Sequence, residues 1–256
     1  DMRWKFILGL LTTCAVLMSM SYTMLIPFLP MYLIQDLGVV KADVDMWSGA
    51  IFAITFLVSG IMAPIWGALA DKKSRKLMAL RAGFCLAITY FLGGLVTNPW
   101  ELLGVRFIQG LSAGLWPALL AIISVESPKL KLGFCMGVMQ GGMTAGGVLG
   151  PLFGGLLADQ FGMRMAFFIA AAALFLITLA LLFFVKEEPR KPDSNAKPVK
   201  IWDFSLCKIP AVKRMLICAG VVQLTILMQQ PIMPLYVAEL QGSMERIVLI
   251  SGIVFS

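Results

Sequence analysis

Long apolar segments alternate with short polar ones along this chain. Each apolar segment is close to the roughly 20 residues that a helix needs to cross the hydrocarbon of a bilayer. We predict spans over residues 6–31, 46–70, 77–97, 101–125, 133–157, 164–185 and 214–238, with an eighth beginning near 247. The alternating pattern of a membrane β-barrel is absent, so the predicted fold class is all-α, a polytopic membrane protein.

Composition and charge agree with a protein embedded in lipid. Hydrophobic residues make up 59% of the chain and charged residues only 14%, against about 25% charged in soluble proteins. With a cytoplasmic amino end, Lys41, Arg106, Arg164 and Arg246 alone among the 21 Lys and Arg fall outside cytoplasmic segments. This bias predicts that the N-terminus is cytoplasmic, and it explains the net charge of +7 without a nucleic-acid partner.

The chain lacks the residues of most catalytic and metal centres. It contains no histidine, which excludes histidine-dependent triads and histidine metal sites. Its cysteines have no CxxC spacing and are interpreted as small apolar residues of spans and loops: Cys14, Cys85, Cys135, Cys207 and Cys218. We therefore expect no enzyme activity, no cofactor and no metal.

A polar segment divides the chain into two related units. KEEPRKPDSNAKPVK, residues 186–200, is rich in charge and proline and is predicted to be a linker. PFLPMYLIQDLG from Pro27 and PIMPLYVAELQG from Pro231 then share Pro, Pro, Tyr and Gly at the same spacing. We predict a six-helix bundle over 1–185, a cytoplasmic linker over 186–213 and the start of a second, truncated bundle over 214–256. Parallel repeats of this kind are a known transporter plan.

Three short motifs carry the candidate chemistry. GALADKKSRK, residues 67–76, concentrates charges in the turn between the second and third spans. LLGVRFIQGLSAG, residues 102–114, places Arg106 inside the fourth span, on one helical stripe with Gln109, Ala113 and Trp116. An arginine in a span costs at least about 2.5–3.5 kcal/mol, so it should face water or a partner. Arg106 is therefore either a cavity residue or a structural clamp.

GGVLGPLFGG, residues 146–155, belongs to a fifth span with two ridges of small residues at i+4 spacing. One ridge is Gly133, Gly137, Gly141 and Ala145, and the other is Gly142, Gly146, Gly150 and Gly154. Such ridges let helix backbones approach closely, and Pro151 adds a bend because one backbone hydrogen bond is lost. A face that is close-packed and bendable would suit a gate, although the glycines alone fit any packing face.

In their order and on their spans, the three motifs resemble those of the major facilitator superfamily. The chain resembles the drug/proton antiporter branch of that superfamily along nearly its whole length. The resemblance implies a major-facilitator fold and a secondary transporter that exports amphiphilic small molecules or drugs by proton antiport with alternating access. Small-molecule cargo, protons and the lipid bilayer are then the expected partners, and we expect a monomer.

The resemblance also implies roles for individual residues. The loop would be a conformational switch in which Gly67 permits close helix contact, Asp71 caps the third helix, and Arg75 pairs with a carboxylate, for which we expect Glu126. Arg106 and Gln109 would take part in proton or substrate coupling. The antiporter helix would use the small residues and proline of its motif: Gly146, Gly150, Pro151, Gly154 and Gly155.

The proton carrier is less clear, because every acid lies at a predicted span end or in a loop. If protons drive export, the carrier is Glu101 or Asp36 near the outer mouth, Glu126 at the inner gate, or a residue in the absent part of the second unit.

For the cargo site we predict methionines, aromatic residues and amides that would line a cavity between the two units. Methionine and aromatic side chains form an adaptable apolar wall, while a few amides orient the ligand. The candidates are Tyr22, Met24, Trp116, Met139, Gln140, Met143, Gln223 and Gln230. A related carrier with a dedicated cargo, such as a lipid-linked sugar or a metabolite, is the alternative function. A membrane enzyme or a nontransporting scaffold would need a catalytic constellation that the sequence lacks.

Overall fold

A computed structural model describes residues 3–72, 74–186, 210 and 212–225, except the side chains of Pro27, Phe28, Asp71 and Lys72. These ranges contain helices and no strand. The helices are α1 (Arg3–Thr23), α2 (Leu25–Gln35), α3 (Val44–Lys72), α4 (Arg75–Leu95), α5 (Pro99–Leu111), α6 (Leu115–Glu126), α7 (Leu132–Phe161) and α8 (Met163–Phe184). Residues 212–225 are helical as well. Most of the predicted linker and the second copy of the repeat lie outside the described residues.

Six helical segments in the described ranges are long and apolar enough to cross a membrane. They are Arg3–Thr23, Lys41–Ala70, Arg75–Leu95, Pro99–Glu126, Lys129–Phe161 and Met163–Phe184. We number them spans one to six. The prediction of an all-α polytopic protein with six spans before residue 186 is confirmed.

Span one is built from two helices, where the sequence predicted one over 6–31. α1 ends at Thr23 and α2 continues from Leu25 to Gln35. Met24 keeps helical backbone angles, with φ −60° and ψ −27°. Pro27 has no N–H to donate to the carbonyl of Thr23, so the helical ladder is interrupted at this point. The span is therefore divided at Met24, and it extends further than predicted, to Gln35.

Span four is broken more sharply, where the sequence predicted an uninterrupted helix over 101–125. α5 ends at Leu111 and α6 begins at Leu115. Gly114 has φ +117°, a conformation that residues with a Cβ rarely adopt. Pro117 lacks the N–H that the carbonyl of Ala113 would accept from, so the helix cannot run straight through. Residues 112–114 are the span-four break.

The spans pack in pairs that are not neighbours in sequence. α1 packs most extensively against α7, α4 against α8, and α3 against α5. Buried tyrosines connect these pairs through backbone carbonyls. The hydroxyl of Tyr32 donates to Gly93 O at 2.9 Å, and that of Tyr90 donates to Ser21 O at 2.7 Å. These bonds satisfy phenol groups that would be costly to bury unpaired.

Ion pairs mark the two ends of the bundle. At one end, the Asp36 end, Arg164 Nε donates to Asp36 Oδ1 at 3.2 Å and links α8 to the residue after α2. At the other, the Glu126 end, Arg3 Nη2 lies 3.7 Å from Glu126 Oε1. Lys76 Nζ at that end also donates to Leu182 O at 2.6 Å. The first and last spans of the bundle are thus fixed to their neighbours at both ends.

Candidate functional site

A cavity of about 340 Å³ lies among the first five spans. This central cavity is mostly apolar, with walls that include Met18, Phe56, Leu86, Leu115, Trp116 and Met143. A few polar groups are spaced around it: Ser19, Tyr22, Thr55, Ser59, Tyr90, Gln109 and Ser112. An apolar pocket with a small number of polar groups is the usual form of a small-molecule site.

A buried charge lies behind one wall of the central cavity. Arg106 is only 6% exposed, and its Nη1 donates to Gln109 Oε1 at 2.7 Å. Its guanidinium carbon lies 6.0 Å from the centre of the Tyr90 ring. We call Tyr90, Arg106 and Gln109 the polar cluster. Gln109 and Tyr90 line the cavity, so they place the positive charge one side chain away from anything bound there.

Two buried polar atoms in or near the polar cluster make no hydrogen bond among the described residues. In the part of the chain that the structure describes, Arg106 Nε is buried without a hydrogen-bond partner, and so is the hydroxyl of the nearby cavity residue Tyr22. Buried polar groups are usually paired, so unpaired ones call for a functional reason. Both atoms could be satisfied when this region changes conformation or binds a ligand.

The structure separates the residues predicted for coupling. Gln109 lines the central cavity and Arg106 lies behind it, as described above. Glu101 instead lies exposed at the Asp36 end, in the first turn of α5. Its carboxylate accepts from Thr97 N at 2.8 Å, and its own N–H donates to Asn98 Oδ1 at 2.9 Å. Asn98 is the N-cap of α5, and Glu101 adds a bond to the residue before that cap, so Glu101 has a structural task away from the cavity.

Three of the predicted cargo residues, Tyr22, Trp116 and Met143, line the central cavity. Two others are buried in helix contacts instead. Met24 packs against Gly154 of α7, and Met139 is fully buried among apolar side chains of α1, α4 and α6. Gln140 and Gln223 are exposed, and Gln230 lies outside the described residues. Helical periodicity alone could not tell which face of the fifth span turns toward the cavity.

Spans two and three contribute cavity residues that the sequence analysis missed. Thr55, Phe56 and Ser59 come from α3, and Ala82, Leu86 and Tyr90 come from α4. The spacing of Ala82, Leu86 and Tyr90 by four residues puts them on one face of a helix. The signal available in the sequence was a tyrosine, Tyr90, at the end of this apolar helical face.

The two glycine ridges of the fifth span have different surroundings. The ridge with Gly142, Gly146, Gly150 and Gly154 packs directly against α1. A Cβ added at Gly142 would lie 2.6 Å from Thr12 Cγ2, and one at Gly146 would lie 3.0 Å from Val16 Cα. Gly155 and Pro151 of the same motif are buried. At Gly133, Gly137 and Gly141 an added Cβ meets no atom within 4 Å. We call these three glycines the open ridge.

The predicted switch residues lie at the Glu126 end but in a different arrangement. Arg75, the first residue of α4, lines a second cavity of about 240 Å³. In the described part of the chain, Glu126 is paired with Arg3 at 3.7 Å. The N-cap of α4 is Ser74, whose hydroxyl accepts from Leu77 N at 3.0 Å, so the cap does not fall to Asp71. The side chain of Asp71 itself is not among those described.

Gly67 of the switch motif also differs from its predicted role. It lies exposed on α3 and lines the second cavity. A Cβ built there meets no atom within 4 Å. The expected close helix contact at Gly67 is therefore not made within the described ranges, because Gly67 faces the second cavity instead of a neighbouring backbone.

The sequence model of the Major Facilitator Superfamily matches residues 11–256. The chain belongs to this superfamily. The superfamily consists of membrane transporters, so the predictions of a multi-pass membrane protein that is not an enzyme are confirmed. The predicted resemblance is likewise confirmed.

Curated relatives carry a more specific name. The chain is 38% identical to "Multidrug resistance protein MdtG" of Citrobacter koseri, over 99% of this chain and 63% of that protein. It is 36% identical to the protein of the same name from Yersinia enterocolitica, over 100% of this chain and 62% of that protein. The chain therefore spans less than two thirds of the length of these relatives.

Solved structures of superfamily transporters share the fold. The nucleoside transporter NupG, as its D323A mutant, superposes with a TM-score of 0.77 at 17% identity, over 97% of this chain and 63% of that one. A bacterial homolog of the human lysosomal transporter Spinster, in an inward-facing and unoccupied conformation, gives a TM-score of 0.63 at 22% identity, over 80% and 48%. At these identities the likeness concerns the fold alone.

Proposed function

We propose that this chain forms the first bundle and the start of the second bundle of an exporter of amphiphilic small molecules or drugs. The central cavity carries the proposal. It combines about 340 Å³ of mainly apolar wall with a buried arginine one side chain behind the surface. Apolar and aromatic walls accept varied amphiphiles because few directional contacts must be matched. The name of the relatives in Citrobacter koseri and Yersinia enterocolitica supports a multidrug cargo.

The proposed domains follow the polar segment. Residues 1–185 form the six-span bundle, 186–213 a cytoplasmic linker, and 214–256 the start of the second bundle. We place the protein in the cytoplasmic (inner) membrane with its N-terminus inside. Basic residues concentrated at the Glu126 end support this orientation, because positive loops stay in the cytoplasm. They include Arg3, Lys5, Lys76, Lys129, Lys131 and Lys186. The transporting unit is proposed to be a monomer.

Proton antiport is the proposed driving mechanism. A proton must bind a group whose charge changes the stability of one conformation relative to the other. Arg106 would respond to that change in charge, because the energy of a buried cation depends strongly on any charge placed near it. Gln109 and Tyr90 connect it to the cavity, so cargo and proton would act on the same polar cluster. Among the side chains that the structure describes, none in the walls of the two cavities is a carboxylate.

The Glu126 end is proposed to be the conformational switch. Gly67 and Arg75 line the second cavity, and the Arg3–Glu126 pair lies at the same end of the bundle. Asp71 is in the last turn of α3. Arg3 and Arg75 would exchange as partners of Glu126 between two conformations. Because Arg3 is 62% exposed in the pair, that contact is weak and easily released.

Reconstitution in liposomes tests the proposed function. The full-length protein is inserted into vesicles with an imposed proton gradient, and movement of a panel of unrelated fluorescent dyes is followed. We expect several dyes to move against their gradients, and movement to stop when an ionophore collapses the proton gradient. Transport of a single compound class would favour the dedicated carrier. Transport that survives the ionophore would contradict proton antiport.

A further inference from the structure

Side chains from two other spans hold span four at its break. The carbonyl of Ala113 cannot accept from residue 117, because Pro117 has no N–H. That carbonyl accepts instead from Arg81 Nη2 at 3.0 Å. The carbonyl of Leu111, the last residue of α5, accepts from Trp66 Nε1 at 2.7 Å. Inside a membrane few waters can replace such partners, so these two bonds make the break tolerable.

The two donors are stacked on each other. The guanidinium carbon of Arg81 lies 3.4 Å from the centre of the Trp66 ring. Trp66 belongs to α3 and Arg81 to α4, so the stack connects spans two and three with span four. A planar guanidinium on an indole keeps a fixed orientation that a lysine ammonium would not. Any displacement of one of these spans would therefore be transmitted to the break.

The break forms the wall between the two cavities. Ser112 and Trp116 line the central cavity. Ala113, Gly114 and Pro117 line both the central and the second cavity. Trp66 and Arg81 line only the second cavity. They can affect the shape of the central cavity only through the backbone of span four, to which they are hydrogen-bonded.

We propose that Trp66 and Arg81 are a positioning pair that fixes the angle of span four at residues 112–114 and so shapes the wall that cargo meets. The role in cargo handling rests on the proposed transport function. The role in holding the break does not, because it follows from the hydrogen bonds to Leu111 and Ala113. The two parts can be tested separately.

The first test needs no cargo. Ser112→Cys, in a full-length background with the native cysteines replaced, reports on the wall through its rate of alkylation by a small maleimide. Trp66→Phe keeps the ring and removes only the indole N–H. We expect alkylation of the cysteine to speed up about fivefold, the size expected when one hydrogen bond holding a conformation is lost. The matched control is Trp100→Phe, at a tryptophan that is 70% exposed and makes an edge-to-face contact with Trp47 at the Asp36 end.

An unchanged alkylation rate in Trp66→Phe would overturn the proposal. Arg81→Lys and Arg81→Gln provide a second measurement. We expect the lysine variant to fail to restore the wild-type rate, because it cannot stack and donate in the same plane. Combining Trp66→Phe with Arg81→Lys should add little to either change, since residues that act as one unit are not additive. Additive effects would contradict a single positioning pair.

The second test uses ethidium export by the same variants. We expect Trp66→Phe to raise the KM for ethidium with a smaller change in maximal rate, because the wall moves while the polar cluster stays. Altered alkylation with wild-type KM would leave the pair a purely structural support and would overturn its part in cargo handling. If the wild-type protein moves no dye at all, the proposed function fails while the alkylation result still decides whether the pair holds the break.

Discussion

At the scale of single residues, the charged side chains discussed above either lie at the ends of the bundle or contact a specific partner inside it. Asp36 and Glu126 are in ion pairs at opposite ends, and Glu101 adds a bond to the residue before the cap of α5. Arg106 and Arg81 lie within spans, each against an aromatic ring and a hydrogen-bond acceptor. A charge in a span is costly unless it is paired, so we propose that the function depends most on these two arginines.

Two substitutions distinguish a structural role of Glu101 from a role as proton carrier. Glu101→Gln keeps an oxygen that can accept from Thr97 N, whereas Glu101→Ala removes that acceptor and leaves the Asn98 cap in place. We expect the alanine variant to lose about 1 kcal/mol of stability, the contribution of one hydrogen bond, and the glutamine variant to export normally. Thermal unfolding in detergent and dye export in vesicles measure the two effects. Export abolished in Glu101→Gln with dye binding retained would make Glu101 the proton carrier after all.

Arg106 should tolerate neither loss nor exchange of its guanidinium. Arg106→Gln removes the charge, and Arg106→Lys cannot keep both the bond to Gln109 and the position against Tyr90. We expect both variants to lower export by at least about tenfold, the cost of losing one charge-assisted hydrogen bond. Initial rates of dye export at matched protein levels measure this. Arg164→Lys, at the partly exposed pair with Asp36, is the control, and equal losses in the two lysine variants would contradict a special role for Arg106.

At the scale of helices, packing is decided by which glycines meet a neighbour. Gly146 lies against the backbone of α1, with Val16 Cα 3.0 Å from where its Cβ would be. Gly137, nine residues earlier on the same helix, has open space there. The motif alone cannot distinguish the two ridges, because both have the same i+4 spacing.

Matched alanine substitutions on α7 test this difference. In Gly146→Ala the added methyl would lie against the backbone of α1 at Val16, which cannot move aside as a side chain can. We therefore expect overpacking to lower the free energy of unfolding by about 1–3 kcal/mol. Gly137→Ala adds a methyl in open space and removes glycine's conformational freedom, so it should be neutral or stabilising by up to about 1 kcal/mol. Thermal unfolding of both variants in the same detergent measures the difference. A loss at Gly137 equal to that at Gly146 would contradict the packing described for α7.

The sequence predicted the spans well and their breaks poorly, for a physical reason. Hydropathy reports which residues lipid surrounds, and Pro27 or Pro117 changes hydropathy very little. A proline leaves the carbonyl four residues earlier without its helical hydrogen-bond donor. Whether that carbonyl finds another donor depends on residues far away in sequence, such as Arg81. The pairing of Glu126 with Arg3 was missed for the same reason, since it depends on how spans one and four are arranged. Tyr22, Trp116 and Met143 were among eight candidates chosen by residue type, and only the packing of the helices shows that these three face the cavity.

At the scale of the whole molecule, the open ridge on α7 has no neighbour among the described residues. The open ridge on α7 lies beside the exposed Gln140 and Thr144. Small residues with polar neighbours are typical of helix–helix contacts in membranes rather than of surfaces facing lipid. We infer that the open ridge faces the second bundle and that the two bundles move against each other there.

Gly141→Leu tests whether the open ridge is a moving contact. A leucine at this position has space in the described bundle, so the variant should unfold at the wild-type temperature. In the full-length protein the larger side chain would separate the two bundles by roughly the size of a side chain, and alternating access would be blocked because helix backbones could no longer approach. We expect stable protein that binds dye but does not export it. A matched variant, Ile88→Leu, changes an exposed residue on α4 and should export normally. Normal export by Gly141→Leu would show that this ridge faces lipid, and the second bundle would then have to contact the first through another of its spans.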